Sequence, residues 1–399
     1  MAENITNERN FNLNQELDQT DLECLERFNQ SLQYYNATRY LTAEETSKYG
    51  YTSGQIFSIT VLLPLILTFG LLGNFCFIFV SVRVKYMHTV TNRYLVSLAI
   101  ADIIFLVSAI GPKIWCYTKS PLHGDDSPLG AHGCVWTFFL SDTAYFASLA
   151  FTTLVSCDRY LAVCHPRNPR SCANFKLSST QLIISTWILA CVLAASLTPG
   201  NSQLVFYCYK WAPISPYDKW PSTIRYCLPS KTWMVSYALG LQTVPFFVSL
   251  ILNFIFYLSI VRGLDGSIKR LSQKGSRMSH RDTRVRNQIA KMLVLNGVVF
   301  FCCLAPFEFI SLFHMVASAR NEYLIRNEKA KTYITLFARV LSYINACINP
   351  VIYTVMCDRY VQAFKYAFCS PISNACRNNN NTNSNTSAKE LVHLQTLVE

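Results

Sequence analysis

The chain has 399 residues, 51% hydrophobic and only 15% charged. A soluble chain of this size carries about a quarter charged residues, so the deficit points to lipid-facing surface and away from a soluble globular class. The net charge of +12 does not indicate a nucleic-acid partner, because the charge alternates in sign along the chain instead of forming one basic face.

Residues 1–50 hold nine acids and four bases and no apolar run, so no cleavable signal peptide is expected there. Three sequons begin at Asn4, Asn29 and Asn36, and they become glycosylation candidates if this segment is extracellular. Seven apolar stretches follow, at residues 55–82, 94–116, 135–163, 180–200, 233–261, 288–317 and 332–356. Each is near the length that crosses a hydrocarbon core. Bases follow the first stretch (Arg83, Lys85, Arg93) and the third (Arg167, Arg170, Lys176), and nine bases against two acids lie between Arg262 and Lys291. This positive-inside alternation puts the amino terminus outside and the carboxyl terminus in the cytoplasm.

The fold class expected is an all-α membrane protein, a seven-helix bundle with an amphipathic eighth helix. Residues 1–53 form a glycosylated, solvated extracellular tail, 54–356 the bundle, 357–370 the eighth helix and 371–399 a disordered cytoplasmic tail. Residues 263–279 read as a short basic loop. Tyr360, Phe364 and Phe368 recur every four residues, which lines three rings on one helical face along the inner leaflet. Cys369 at the end of that face is a palmitoylation candidate, with an unmodified thiol as the alternative. No internal repeat is visible, and repeats are the usual mark of secondary transporters.

Polar groups inside a membrane are costly and usually functional. The first stretch holds Gly73-Asn74, the second Leu98-Ala-Ile-Ala-Asp102, and the third runs from Cys134 to Asp158-Arg159-Tyr160. Trp187, Pro245 and Pro306 lie in the fourth, fifth and sixth, and Asn349-Pro350-Val-Ile-Tyr353 closes the seventh. With these markers in this order, the chain resembles the rhodopsin-like (class A) G-protein-coupled receptors over residues 54–370.

That resemblance implies roles. Arg159 pairs with Asp158 at rest and is released towards a heterotrimeric G protein on activation, and Tyr160, Phe300, Asn349 and Tyr353 belong to the same relay. Pro306 and Pro350 each free a backbone carbonyl and kink their helices. Asp102 with Asn74, Ser148, Asn345 and Asn349 offers five oxygen-bearing side chains to an allosteric sodium ion, the alternative being a hydrogen-bonded core without an ion. No other cofactor is implied. Cys134 bridges to the second extracellular loop, with Cys227 favoured because it lies nearer span five and Cys208 the alternative; a second bridge involving Cys24 is left open. Two departures stand out. Leu304 occupies the place of the family's toggle tryptophan, and Pro245 lies twelve residues before Tyr257, where eight is usual, so that Asn253 falls at the expected tyrosine position.

The same register places a pocket of Lys113, Ser141, Asp142, Tyr145, Phe307, Glu308, Arg339 and Tyr343. Ser141 stands where amine receptors carry Asp and Tyr343 where opsins carry the Schiff-base Lys, which disfavours a monoamine and excludes retinal on that pattern. Arg339 is fitted to a carboxylate or carbonyl and Glu308 or Asp142 to a cationic group, so a short peptide is expected. The competing reading pairs Glu308 with Arg339 and fixes the helices. The runs Arg286–Val294 and Asn345–Pro350 place the chain near the neuropeptide branch, similar to thyrotropin-releasing-hormone, neuromedin and FMRFamide receptors of invertebrate type. The expected partners are a neuropeptide, a Gq-class G protein acting through calcium mobilisation, arrestin and membrane lipids at the plasma membrane. A receptor for a non-peptide small charged ligand is the runner-up. An enzyme is not expected: His88, His123, His132 and His165 lack paired-ligand spacing, and no Gly-x-Ser-x-Gly motif appears.

Overall fold

The computed structural model describes residues 34–164, 178–231, 233–271, 277–319 and 328–376. Its elements in chain order are β1 (Tyr34–Tyr40), α1 (Ala43–Ser47), α2 (Ser53–Arg83), α3 (Val90–Lys119), α4 (Gly130–Cys164) and α5 (Ser179–Leu197). They continue with β2 (Gln203–Lys210), β3 (Thr223–Leu228), α6 (Trp233–Leu271), α7 (Arg277–Ala319), α8 (Glu328–Met356) and α9 (Asp358–Cys376). Helices α2 to α8 are the seven helices long and apolar enough to cross a membrane.

The starts of these helices are chemically marked. Thr52 begins α2 with a capping box to Gln55, Thr89 accepts from the Asn92 N–H at the head of α3, and Ser178 boxes with Gln181 ahead of α5. Each supplies a partner for a backbone donor that a helix start leaves unpaired. The α3 and α4 windows bury about half of their residues or more, and those of α2 and α5 less than a fifth. So α3 and α4 form the centre. The outer helices present rows such as Phe69, Leu72, Phe75 and Phe79 on α2 and Ile184, Ile188 and Val192 on α5, all exposed, which is the surface expected against hydrocarbon. The core gathers Phe77, Leu98, Phe151 and Tyr353. Where α2 meets α8, a β-carbon at Gly70 would lie 2.6 Å from the Cys347 sulfur, so that close approach depends on glycine.

The structure corrects three expectations at the ends of these elements. The basic segment 263–279 is largely helical, since α6 runs to Leu271 and α7 starts at Arg277: no proline interrupts the backbone ladder there, and Leu264, Ile268 and Leu271 recur at helical spacing. The eighth helix runs past residue 370 to Cys376 and stops just before the Asn378 run that marks the tail in composition. The amino-terminal tail is not wholly a solvated strap. β1 pairs in parallel with β2, which pairs antiparallel with β3, and Thr46 of α1 is buried, its hydroxyl accepting from the Ala212 N–H at 3.3 Å.

This three-stranded sheet roofs one end of the bundle. Leu122, Trp211 and Ile224 are its buried centre, ringed by Tyr49, Tyr209, Tyr217 and Trp220, and Tyr209 stacks on Trp211 at 5.0 Å. The free edge of β3 is closed by the loop after α3. The Asp126 N–H donates to the Arg225 carbonyl, and the Asp126 carboxylate accepts from the Cys227 N–H at 2.9 Å. Cys134 is bridged to Cys227, Cα to Cα 5.6 Å. Cys208, the other candidate, is disulfide-bonded elsewhere, and Cys24 lies outside the described residues.

Candidate functional site

Beneath the roof, α4, α6 and α7 bring acids together. Glu308 is fully buried. Its Oε1 accepts from the Tyr145 hydroxyl at 2.7 Å, and its Oε2 has no hydrogen-bond partner among the described residues. Tyr145 also reaches the Gln242 carbonyl at 3.2 Å, and Gln242 Nε2 donates to Asp142 Oδ1 at 3.0 Å. The helices α3 and α8 supply cations: Lys113 lies close enough to Arg339 for their charges to oppose each other, with the Asp126 carboxylate near Lys113 as well. Arg339 is exposed and lies beside the buried Tyr343. Ser141 and Ser108 share a hydrogen bond of 2.9 Å. Phe307 precedes Glu308 on α7 and is half-buried.

The roof also holds titratable groups near Lys113. Burial and the Lys113 ammonium hold His123 below the ordinary imidazole range, while burial raises the Asp126 carboxyl against the pull of the Cys227 N–H.

One turn from Glu308 on α7, Leu304 is buried among Leu149, Phe246, Phe300 and Phe301. Deeper still, Asp102 is 2% exposed and accepts from Asn349 Nδ2 at 2.7 Å, with Ser148 beside it. Asn74 Nδ2 donates to the Gly70 and Ala346 carbonyls at 2.9 and 2.8 Å. The side-chain oxygens of Asn74, Asn345 and Asn349 are buried without partners among the described residues.

At the inner end, Arg159 Nη2 meets Asp158 Oδ2 at 2.6 Å. The same carboxylate oxygen accepts from the Thr91 hydroxyl at 2.6 Å, and Arg159 donates to that hydroxyl as well. Tyr160 stacks on Phe256 at 5.4 Å. Tyr353 is buried against Phe77, ring centroids 5.1 Å apart. A family model described as "7 transmembrane receptor (rhodopsin family)" matches residues 73–353.

The chain belongs to the rhodopsin family of seven-transmembrane receptors. It is 26% identical to the pyrokinin-1 receptor of Drosophila melanogaster, over 78% of this chain and 79% of that one. It is 29% identical to neuromedin-U receptor 1 of Rattus norvegicus, over 78% and 73%, and 27% identical to the human thyrotropin-releasing hormone receptor, over 77% of each. The family is one of receptors and not of enzymes.

The competing reading, a Glu308–Arg339 ion pair, is not formed: Glu308 takes the Tyr145 hydroxyl on one oxygen, and Arg339 lies beside Tyr343. Gln242, Thr243 and Ser108 join the polar set and were missed. Their signal was available: Gln242 and Thr243 are polar residues in an apolar run just before Pro245. Span five is also clarified. Tyr257 is buried and its hydroxyl accepts from Ser156 Oγ at 3.0 Å, whereas Asn253 donates to Thr153 Oγ1 at 2.9 Å and to the Ser249 carbonyl. The tyrosine therefore keeps its place against α4, and it is the proline that sits one turn further out.

Proposed function

We propose that this receptor is opened by a short neuropeptide and passes the signal to a heterotrimeric G protein. The observation that carries the reading is the presence of both charge signs at one end of the bundle: Asp142 and Glu308 are linked through Gln242 and Tyr145, and Lys113 lies near Arg339 and Asp126. A peptide with a cationic group and an anionic or carbonyl group satisfies both signs. A uniformly anionic ligand leaves the buried, hydrogen-bonded Glu308 opposed. The printed names of the relatives, pyrokinin, neuromedin-U and thyrotropin-releasing hormone receptors, point to peptides as well.

The finer parts of the reading are a Gq-class partner read out as calcium mobilisation, arrestin binding, and residence in the plasma membrane with an extracellular amino terminus. Asn4 and Asn29 lie outside the described residues, and Asn36 lies on β1; all three are proposed glycosylation sites. Cys369 on α9 is the proposed palmitoylation site.

The polar core fits a sodium ion. Asp102 has amide and hydroxyl neighbours but no cationic side chain beside it among the described residues, and three buried amide oxygens lack donors there. An ion there would be held by Asp102, Ser148, Asn74, Asn345 and Asn349, and it supplies the positive charge that a buried carboxylate requires.

The test is a calcium-mobilisation screen of cells expressing the receptor against short neuropeptides in amidated and free-acid forms. A saturable response that Arg339→Ala weakens supports the reading. A blank screen at proven surface expression, repeated with a cyclic-AMP readout, counts against a peptide ligand.

A further inference from the structure

The contacts of Arg159 leave a question about α7. Among the described residues its hydrogen bonds go to Asp158 on its own helix and to Thr91 at the head of α3, and neither acceptor is on α7. The inner half of α7 has other contacts: Gln288 Nε2 donates to Asp358 Oδ2 at 3.2 Å, and Met292 and Leu293 are buried in the core. Tyr257 of α6 crosses to α4, where its hydroxyl pairs with Ser156, and its ring lies directly on Gly297 of α7. A β-carbon built at Gly297 would overlap the phenol oxygen and the ring carbon bearing it, and would reach Cε2 at 3.0 Å. Val163, Ile260 and Ala290 close the pocket, with Val294 packed against it. Ala290 and Gly297 are seven residues apart, about two helical turns, so both small residues face the ring. Gly297 also lies nine residues inward of Pro306, on the arm that swings if the helix bends at the proline.

We propose that Gly297 is a notch in α7 that receives the Tyr257 phenol, and that this three-helix latch of Gly297, Tyr257 and Ser156 sets the receptor's agonist-free activity by holding the inner half of α7 inward. No L side chain at 297 coexists with the phenol in place, so any β-carbon there biases the bundle away from the latched state. A ligand or mutation shifts such an equilibrium only through its differential fit to the two states, and steric exclusion from one state is such a difference. The latch needs no particular ligand, but its link to signalling rests on the G-protein reading above.

The experiment has two arms, neither needing an agonist. Hydrogen–deuterium exchange on the purified receptor follows residues 287–305, the inner half of α7. Agonist-free G-protein activation is measured in cells across a panel of Gα subunits at matched surface level. Gly297→Ala is expected to speed exchange in α7 and raise basal activation ~3- to 10-fold, a population shift of up to about 1.4 kcal/mol. The same substitution in a Tyr257→Ala background is expected to add nothing, because the clash is with the phenol. Unchanged exchange in Gly297→Ala, or an equal increase in both backgrounds, overturns the latch. Faster exchange with no response from any Gα keeps the latch and removes the G-protein reading. If Gly297→Ala lowers the surface level, Ser156→Ala frees the hydroxyl without touching the notch. Faster α7 exchange in that variant supports the latch, and unchanged exchange overturns it.

Discussion

A single carboxylate shows how much depends on what surrounds it. Glu308 lies in a helix interior that composition alone marks as apolar, yet it is fully buried and takes the Tyr145 hydroxyl at 2.7 Å. Glu308→Ala removes the nearer acceptor and leaves that hydroxyl with the Gln242 carbonyl at 3.2 Å, at a cost of about 0.5–1.5 kcal/mol. We expect a clear drop in thermal stability in detergent as well as lost agonist potency. Arg339→Ala, by contrast, removes an exposed side chain, so potency falls while stability and surface expression hold; unchanged potency takes Arg339 out of the pocket. Arg159→Ala is expected to abolish signalling at normal surface level, as measured by calcium flux or cyclic AMP, and intact signalling removes its assigned role. The sequence showed these three residues as polar groups in costly places. It could not show that Glu308 pairs with a phenol and not with Arg339, because that depends on how α4 and α7 are rotated.

At the level of elements, the helices follow from apolar runs and capping residues, and their contacts from small residues. Gly70 is the clearest case, since a β-carbon there meets Cys347 and Leu106. Gly70→Val forces α2 and α8 apart and is expected to cost about 1–3 kcal/mol, seen as a lowered melting temperature with the ligand-free receptor. The roof depends on the Cys134–Cys227 bridge, which ties β3 to the start of α4. Losing a native disulfide typically costs about 2–5 kcal/mol, so Cys134→Ala should reduce both surface expression and ligand binding, and a fully active variant would contradict the roof's role. The strands β2 and β3 are legible in their aromatic and β-branched residues. The partnering of β1 with β2 was not, since Tyr34–Tyr40 carries no pattern that names its neighbour.

For the molecule as a whole, charge distribution decides orientation. The acidic amino-terminal segment and the basic Arg262–Lys291 stretch predict that an amino-terminal tag binds antibody on intact cells and a carboxyl-terminal tag only after permeabilisation; the reverse pattern would invert the proposed topology. The same whole-molecule view explains why one exposed apolar row is unremarkable here and would be a liability in a soluble protein. On α2, α5 and α6 the rows face the hydrocarbon that the composition called for.

What the sequence determined by itself is the set of properties that add along a chain: seven spans by hydropathy and length, and the family by polar residues whose placement inside a membrane is too costly to be incidental. What only the tertiary structure decided is which side chains meet. The approach of Lys113 to Arg339, the retention of Tyr257 against α4 while Pro245 sits one turn further out, the choice of Cys227 over Cys208, and the seating of a phenol on Gly297 all depend on helix rotation and approach. Those are set by the packing of all seven helices at once, and no local stretch of the chain encodes them.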